Sequence, residues 1–88
     1  MSDLLALEPF RDFGGRLKAW PKKQKLQRLA IALIADSFEP GRVYTEREVN
    51  DILLELHTFN DWALLRRRLI EWGHLDRTPD GSCYWKTP

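Results

Sequence analysis

Apolar residues recur three or four positions apart at Leu26, Leu29, Ala30, Leu33 and Ile34, and this spacing predicts an amphipathic helix. Pro21 suits its first position, and Phe38-Glu39-Pro40-Gly41 ends it. A second helical stripe, Val49, Ile52, Leu53 and Leu56, follows the segment Thr45-Glu46-Arg47-Glu48. That segment reads as a capping box, in which the Thr45 hydroxyl accepts from the Glu48 backbone and the Glu48 carboxylate reaches back. Tyr44 and Val49 form the matching hydrophobic staple, Arg42-Val43-Tyr44 is a short extended piece, and the helix ends near His57.

A third helix starts a few residues on, capped by Asn60 or by Thr58 with Asp61, with Phe59 and Leu64 as a staple across the Asn60 start. Trp62, Leu65, Leu69 and Trp72 share its inner face, and Gly73 is the expected left-handed terminator. Beyond it, Leu75 to Thr78 and Ser82 to Lys86 flank the turn Pro79-Asp80-Gly81, which predicts a hairpin. Residues 1–20 read as an arm whose apolar residues pack on the body, with Ser2 or Asp3 capping a short helical turn.

The predicted order is helix, short strand, helix, tight turn, helix, strand, strand. The expected class is therefore mainly α with a small β hairpin: a winged helix-turn-helix over residues 21–88, with three core helices, a wing and the arm. A plain three-helix bundle with a carboxy-terminal hairpin is the alternative architecture.

Eighty-eight residues bound this to one domain, and the four Trp, four Phe and two Tyr supply its large core side chains. The single Cys83 excludes an internal disulfide, and with two separated histidines it makes a poor zinc set, so neither metal nor cofactor is expected. A reducing, cytoplasmic setting follows from that cysteine usage. The run Leu4-Leu5-Ala6-Leu7 is too short to span a membrane, and no targeting segment is read.

Several local motifs fall together: Gly15-Arg16-Leu17, Pro21-Lys22-Lys23, Phe38, Gly41, Tyr44-Thr45-Glu46, Glu48-Val49-Asn50, His57 and Asp61. Leu65-Arg66-Arg67, Leu75, Arg77, Gly81 and Tyr84-Trp85 complete the set. Taken together they resemble a bacterial family catalogued as a domain of unknown function, DUF2087, whose members occur alone or behind an ArsR-type winged-helix regulator. That resemblance implies a bacterial cytoplasmic protein linked to transcription, and it supplies no molecular activity. Arg68 stands outside the family's pattern.

On a helix turning about 100° per residue, Arg67 lies about 200° from Leu65 and points outward, while Arg66 and Arg68 flank the core. If the third helix enters a major groove, Asn60, Ala63, Arg66 and Arg67 are nearest the bases, arginine being suited to bidentate contact with guanine. Arg77 and Lys86 on the wing are the expected phosphate contacts, with Thr78 or Ser82 as weaker donors. The structural alternative pairs Arg66 or Arg68 with Glu48, Asp51 or Glu55 of the second helix.

Charge counting weighs against a strong nucleic-acid binder. Residues 41–88 hold seven basic side chains against eight acidic ones, so the half that would dock carries no positive excess. The excess sits instead around the start of the first helix, where Arg16, Lys22, Lys23 and Lys25, with Lys18 and Arg28, offer a secondary anion contact or a solvated basic end. No phosphate-binding glycine loop and no nucleophile with an adjacent base is found, and His57, Asp61 and His74 are explained as helix-end residues, so no enzyme is expected.

The expected function is therefore DNA binding in bacterial transcriptional regulation, with double-stranded DNA as partner and a second copy or a regulator protein as further partners. The alternative is a winged-helix protein-interaction or dimerisation module without DNA contact, docking through the acidic second helix or an aromatic patch around Trp20, Trp62 and Trp85.

Overall fold

The computed structural model describes residues 5–88. Within them lie three helices, α1 (Gln24–Ala35), α2 (Glu46–Leu56) and α3 (Trp62–Glu71), and three short strands, β1 (Val43–Tyr44), β2 (Leu75–Arg77) and β3 (Tyr84–Lys86). The strands form one antiparallel sheet in the order β1-β3-β2, so β3 is its centre. The fold is α+β, and α3 packs against α1, α2 and β2.

α1 starts later than Pro21. Its N-cap is Lys23, which has no side-chain cap, and Pro21 is buried ahead of the helix with its carbonyl accepting from Gln27 Nε2 at 2.7 Å. The proline thus braces the first turn from outside it. The inner face also differs from the expected one. Ala30, Ile31, Ile34 and Ala35 are buried, whereas Leu26, Leu29 and Leu33 are only half-buried, so the helix is rotated about its axis toward Ile31. Phe38 closes this end of the core, edge-on to Tyr44 with ring centroids 5.3 Å apart, and the Tyr44 hydroxyl accepts from the Glu39 N–H.

α2 opens with the expected capping box. Thr45 Oγ1 accepts from the Glu48 N–H at 3.1 Å, and Glu48 Oε1 accepts from the Thr45 N–H at 2.9 Å. Such reciprocal capping is worth about 1 kcal/mol. Tyr44 and Val49, the staple pair, are both buried, as is Leu53, while Ile52 and Leu56 pack partly against the same core.

The cap of α3 is Asp61, whose Oδ1 accepts from the Leu64 N–H at 3.2 Å. Asn60 is therefore not the cap. It stands one residue earlier with a left-handed φ of 55°, a conformation that asparagine tolerates better than most side chains. Leu65 and Leu69 are fully buried, Trp62 and Trp72 half-buried. At the far end Gly73, with φ 79°, lets the His74 N–H reach the Leu69 carbonyl and its own N–H reach the Ile70 carbonyl. This doubly bonded left-handed stop reverses the chain into β2.

The hairpin follows the predicted turn with shorter strands. The Gly81 N–H closes on the Thr78 carbonyl at 2.9 Å, and the Thr78 N–H on the Cys83 carbonyl. Asp80 organises the tip: Oδ1 accepts from Thr78 Oγ1, Ser82 Oγ and the Ser82 N–H.

The expected Ser2 or Asp3 cap lies outside the described residues. From there the arm passes through a 3-10 turn (Glu8–Phe10) and folds back as a tight loop in which Asp12 binds Arg16 through both backbone and side chain. Leu7 and Leu17 are buried in the core. The Leu17 backbone bridges to the α2–α3 connection, donating to the Leu56 carbonyl and accepting from the Thr58 N–H.

Candidate functional site

Side chains spaced by three or four on α3 share one face, so Ala63, Arg66, Arg67 and Ile70 line up along the helix. Across from them, Arg77 stands opposite Tyr84 in the β2–β3 register, which puts both on one face of the sheet. Between helix and hairpin these residues form an open cleft of about 310 Å³, rimmed by Glu46 at the start of α2 and by Glu71.

The three arginines of α3 have different surroundings. Arg66 is half-buried, donates to Asn50 Oδ1 at 2.6 Å and lies 3.8 Å from Glu46 Oε1. Arg68 turns away from the cleft, pairing with Glu71 of its own helix and lying against the Trp72 ring. Arg67 is exposed, and among the described residues it makes no ion pair or side-chain hydrogen bond. Thus Arg66 does bind α2, but through Asn50 and Glu46, and none of Glu48, Asp51 or Glu55 pairs with Arg66 or Arg68.

Tyr84 links the rim to the floor. Its ring is buried and its hydroxyl donates to Glu46 Oε1 at 3.1 Å. Burial first, then the hydrogen bond to Glu46 and that carboxylate's charge, push the Tyr84 pKa above the usual phenol value. The phenol is therefore a neutral donor throughout the physiological range. Arg77 is exposed and extends over the hairpin tip, where a Cβ added to Gly81 would stand only 3.3 Å from Arg77 Nη1.

Of the residues expected to contact DNA, Ala63, Arg66, Arg67 and Arg77 meet in this cleft. Asn60 and Lys86 do not line it: Asn60 precedes the Asp61 cap, and Lys86 is paired with Leu75 at the opposite end of the hairpin strands. Thr78 and Ser82 give their hydroxyl protons to Asp80, which holds that carboxyl at a pKa of about 2, the Thr78 bond being the largest cause. Tyr84 and Glu46 are the site residues that sequence reasoning missed. Tyr84 is legible only as an alternation partner of the strand, and Glu46 only as a capping-box position.

At the basic end, Arg16 is engaged by Asp12 at 3.2 Å. The Arg16 N–H, and secondarily the guanidinium charge, lower the Asp12 pKa. Lys22, Lys23 and Lys25 are exposed beside Leu26, and Arg28 lies 4.6 Å over the Trp72 ring. His57 is buried with both ring nitrogens facing backbone, Nδ1 toward the Leu53 carbonyl and Nε2 toward the Asp61 N–H. Its role is to join α2 to α3. No helix among the described residues is long and apolar enough to cross a membrane.

A family model described as an uncharacterized protein conserved in bacteria, DUF2087, matches residues 16–86 of the chain. No curated protein and no solved structure matches it. The matched span takes in α1, α2, α3 and all three strands, and with them every residue that lines the cleft.

Proposed function

The chain belongs to this family of uncharacterized proteins conserved in bacteria, and from its own geometry we propose that it is a winged-helix DNA-binding protein acting in bacterial transcriptional regulation. In this reading α3 is the recognition helix in the major groove and the β2–β3 hairpin is the wing along the backbone. Supporting it are the strand order β1-β3-β2, the short connection between α2 and α3, and the placement of α3 beside the hairpin.

The observation that carries the reading is the convergence of Arg67 from α3 and Arg77 from the hairpin on one cleft, both exposed and both without an ion partner among the described residues. Two such guanidiniums on adjoining elements suit neighbouring phosphates, or one phosphate and a guanine edge. Arg66 lies below them, held by Asn50 and Glu46, and Ala63 leaves the helix surface low enough for a groove wall to approach. With Glu46 and Glu71 on the rim, affinity comes from few phosphate contacts.

Fluorescence anisotropy with pooled duplexes at low salt tests this function. Binding at micromolar protein is expected, weakened by Arg67→Ala with Arg77→Ala. Losing two phosphate contacts should flatten the log–log salt slope by about 1.8, at roughly 0.9 per contact. Absence of binding by the unaltered chain under those conditions rejects it.

The second reading, a protein-interaction module without DNA contact, draws on the tryptophans. Trp20, Trp62, Trp72 and Trp85 are all only half-buried. Trp85 also shares the outer face of the sheet with exposed Val43, its β1 partner. Iodide quenching comparable to that of a free indole at two or more of them would favour this reading; full shielding of all four would remove its basis.

A further inference from the structure

The rotation of α1 toward Ile31 leaves Leu26 and Leu29 half-buried on its other side. Two adjoining depressions of about 490 Å³ each run along this face and share Lys23 and Leu26. Phe10 and Trp20 line one of them, Ala6 and Leu29 the other. The rim is basic throughout: Lys22, Lys23, Lys25 and Arg28 surround the leucines, and the sequence has no acidic residue between Asp12 and Asp36. None of the three lysines has an ion partner among the described residues. An apolar trough ringed by unpaired cations selects a partner with an apolar knob set among acids.

α2 presents that combination. Leu54 is 42% exposed, with Asp51 three residues before it and Glu55 directly after. Neither acid has an ion partner among the described residues, whereas Glu46 and Glu48 are engaged by Tyr84, Arg66, Arg42 and Thr45. Asp51 and Leu54 lie on one face at helical spacing, with Glu55 beside them.

We propose that the Leu54 face of α2 docks into the α1 groove of a second copy of this chain. Leu54 sits against Leu26 and Leu29, and Asp51 and Glu55 face Lys22, Lys23 and Lys25. The two surfaces are different patches, so the contact is head-to-tail: each copy retains a free groove and a free knob, and assembly continues past two copies unless the rotation closes a ring. The apolar contact holds the pair, while the charge match sets its orientation and salt dependence. This contact uses neither Arg67 nor Arg77 and stands independently of DNA binding.

Sedimentation velocity on the full chain, over a concentration series at low and high salt, tests it. The weight-average mass should rise with concentration beyond that of a dimer and fall back as salt is raised. Leu54→Asp, and separately Lys23→Glu with Lys25→Glu, should each weaken association by about tenfold or more, with circular dichroism unchanged. The decisive measurement pairs two variants. Lys22→Glu/Lys23→Glu/Lys25→Glu and Asp51→Lys/Glu55→Lys should each be monomeric alone, because groove and knob then carry like charge, and should assemble when mixed. A wild-type chain that stays monomeric to millimolar concentration, variants that associate as wild type does, or a mixture that stays monomeric overturns the proposal. Binding of a monomeric chain to anionic lipid vesicles, or to an acidic amphipathic peptide in place of a second copy, assigns the groove to that occupant and likewise overturns it.

Discussion

His57 Nε2 accepts the backbone N–H of Asp61 at 2.9 Å, while its Nδ1 lies 2.6 Å from the Leu53 carbonyl oxygen. The proton must sit on Nδ1 for both contacts to be hydrogen bonds, so one neutral imidazole ties the last turn of α2 to the cap residue of α3. Phe59 packs edge-on against it, with ring centroids 4.7 Å apart. The angle between the two helices therefore depends on this ring as well as on the core.

His57→Ala should destabilise the domain by about 2–4 kcal/mol, combining a small cavity with a buried N–H left without its acceptor. Urea unfolding followed by circular dichroism measures it. A loss below about 1 kcal/mol would show that water replaces the imidazole and that the connection is held elsewhere.

Asp80 predicts an acid limb. Its pKa is lowered from the ordinary 3.8 to about 2, so its contribution is fully present above the unfolded value and is lost as pH falls through about 2. Asp80→Asn should flatten the dependence of the urea midpoint on pH between these values. Part of the slope remains in that variant, because Asp12 and Glu48 are also lowered, chiefly by the N–H groups of Arg16 and Thr45. An unchanged acid limb in Asp80→Asn would mean that the hairpin tip opens before global unfolding.

Tyr84 predicts the opposite limb. Its pKa is raised above the ordinary 10.0, so the unfolded chain releases this proton first; the stabilisation is intact below pH 10.0 and is lost as pH climbs through the raised value. Tyr84→Phe should remove that alkaline loss and cost about 1 kcal/mol at neutral pH, since Glu46 is exposed enough to rehydrate. Stability against pH for both proteins tests this, and parallel curves above pH 10.0 would place the phenol's proton outside the linkage.

Local signals were legible wherever one short segment satisfies itself. The Thr45–Glu48 capping box, the Gly73 stop and the Thr78–Gly81 turn each close within six residues, and each stands where its sequence places it. What misled was competition between neighbouring solutions. Pro21 suits a first helical position yet is held outside α1 by Gln27, and Asn60 suits a cap yet yields it to Asp61 one residue later. α1 carries apolar residues over so wide an arc that periodicity could not say whether Leu26 or Ile31 faces the core.

The cleft shows the same division. Ala63, Arg66, Arg67 and Arg77 follow from helix and strand phase alone. Tyr84 and Glu46 meet only because β3 pairs with both β1 and β2 beside the start of α2, a tertiary fact with no local signature. Asn50 was likewise hidden, since its value is set by which turn of α3 Arg66 occupies.

The backbone bridge from Leu17 to the α2–α3 connection bears on the order in which the chain assembles. Leu17 and His57 are forty positions apart, and joining them closes a long loop whose entropy must be met before the two hydrogen bonds return anything. The α2–α3 corner and the hairpin, by contrast, form from near neighbours. The arm is thus the last piece to join the body, and it latches shut a corner that has already formed.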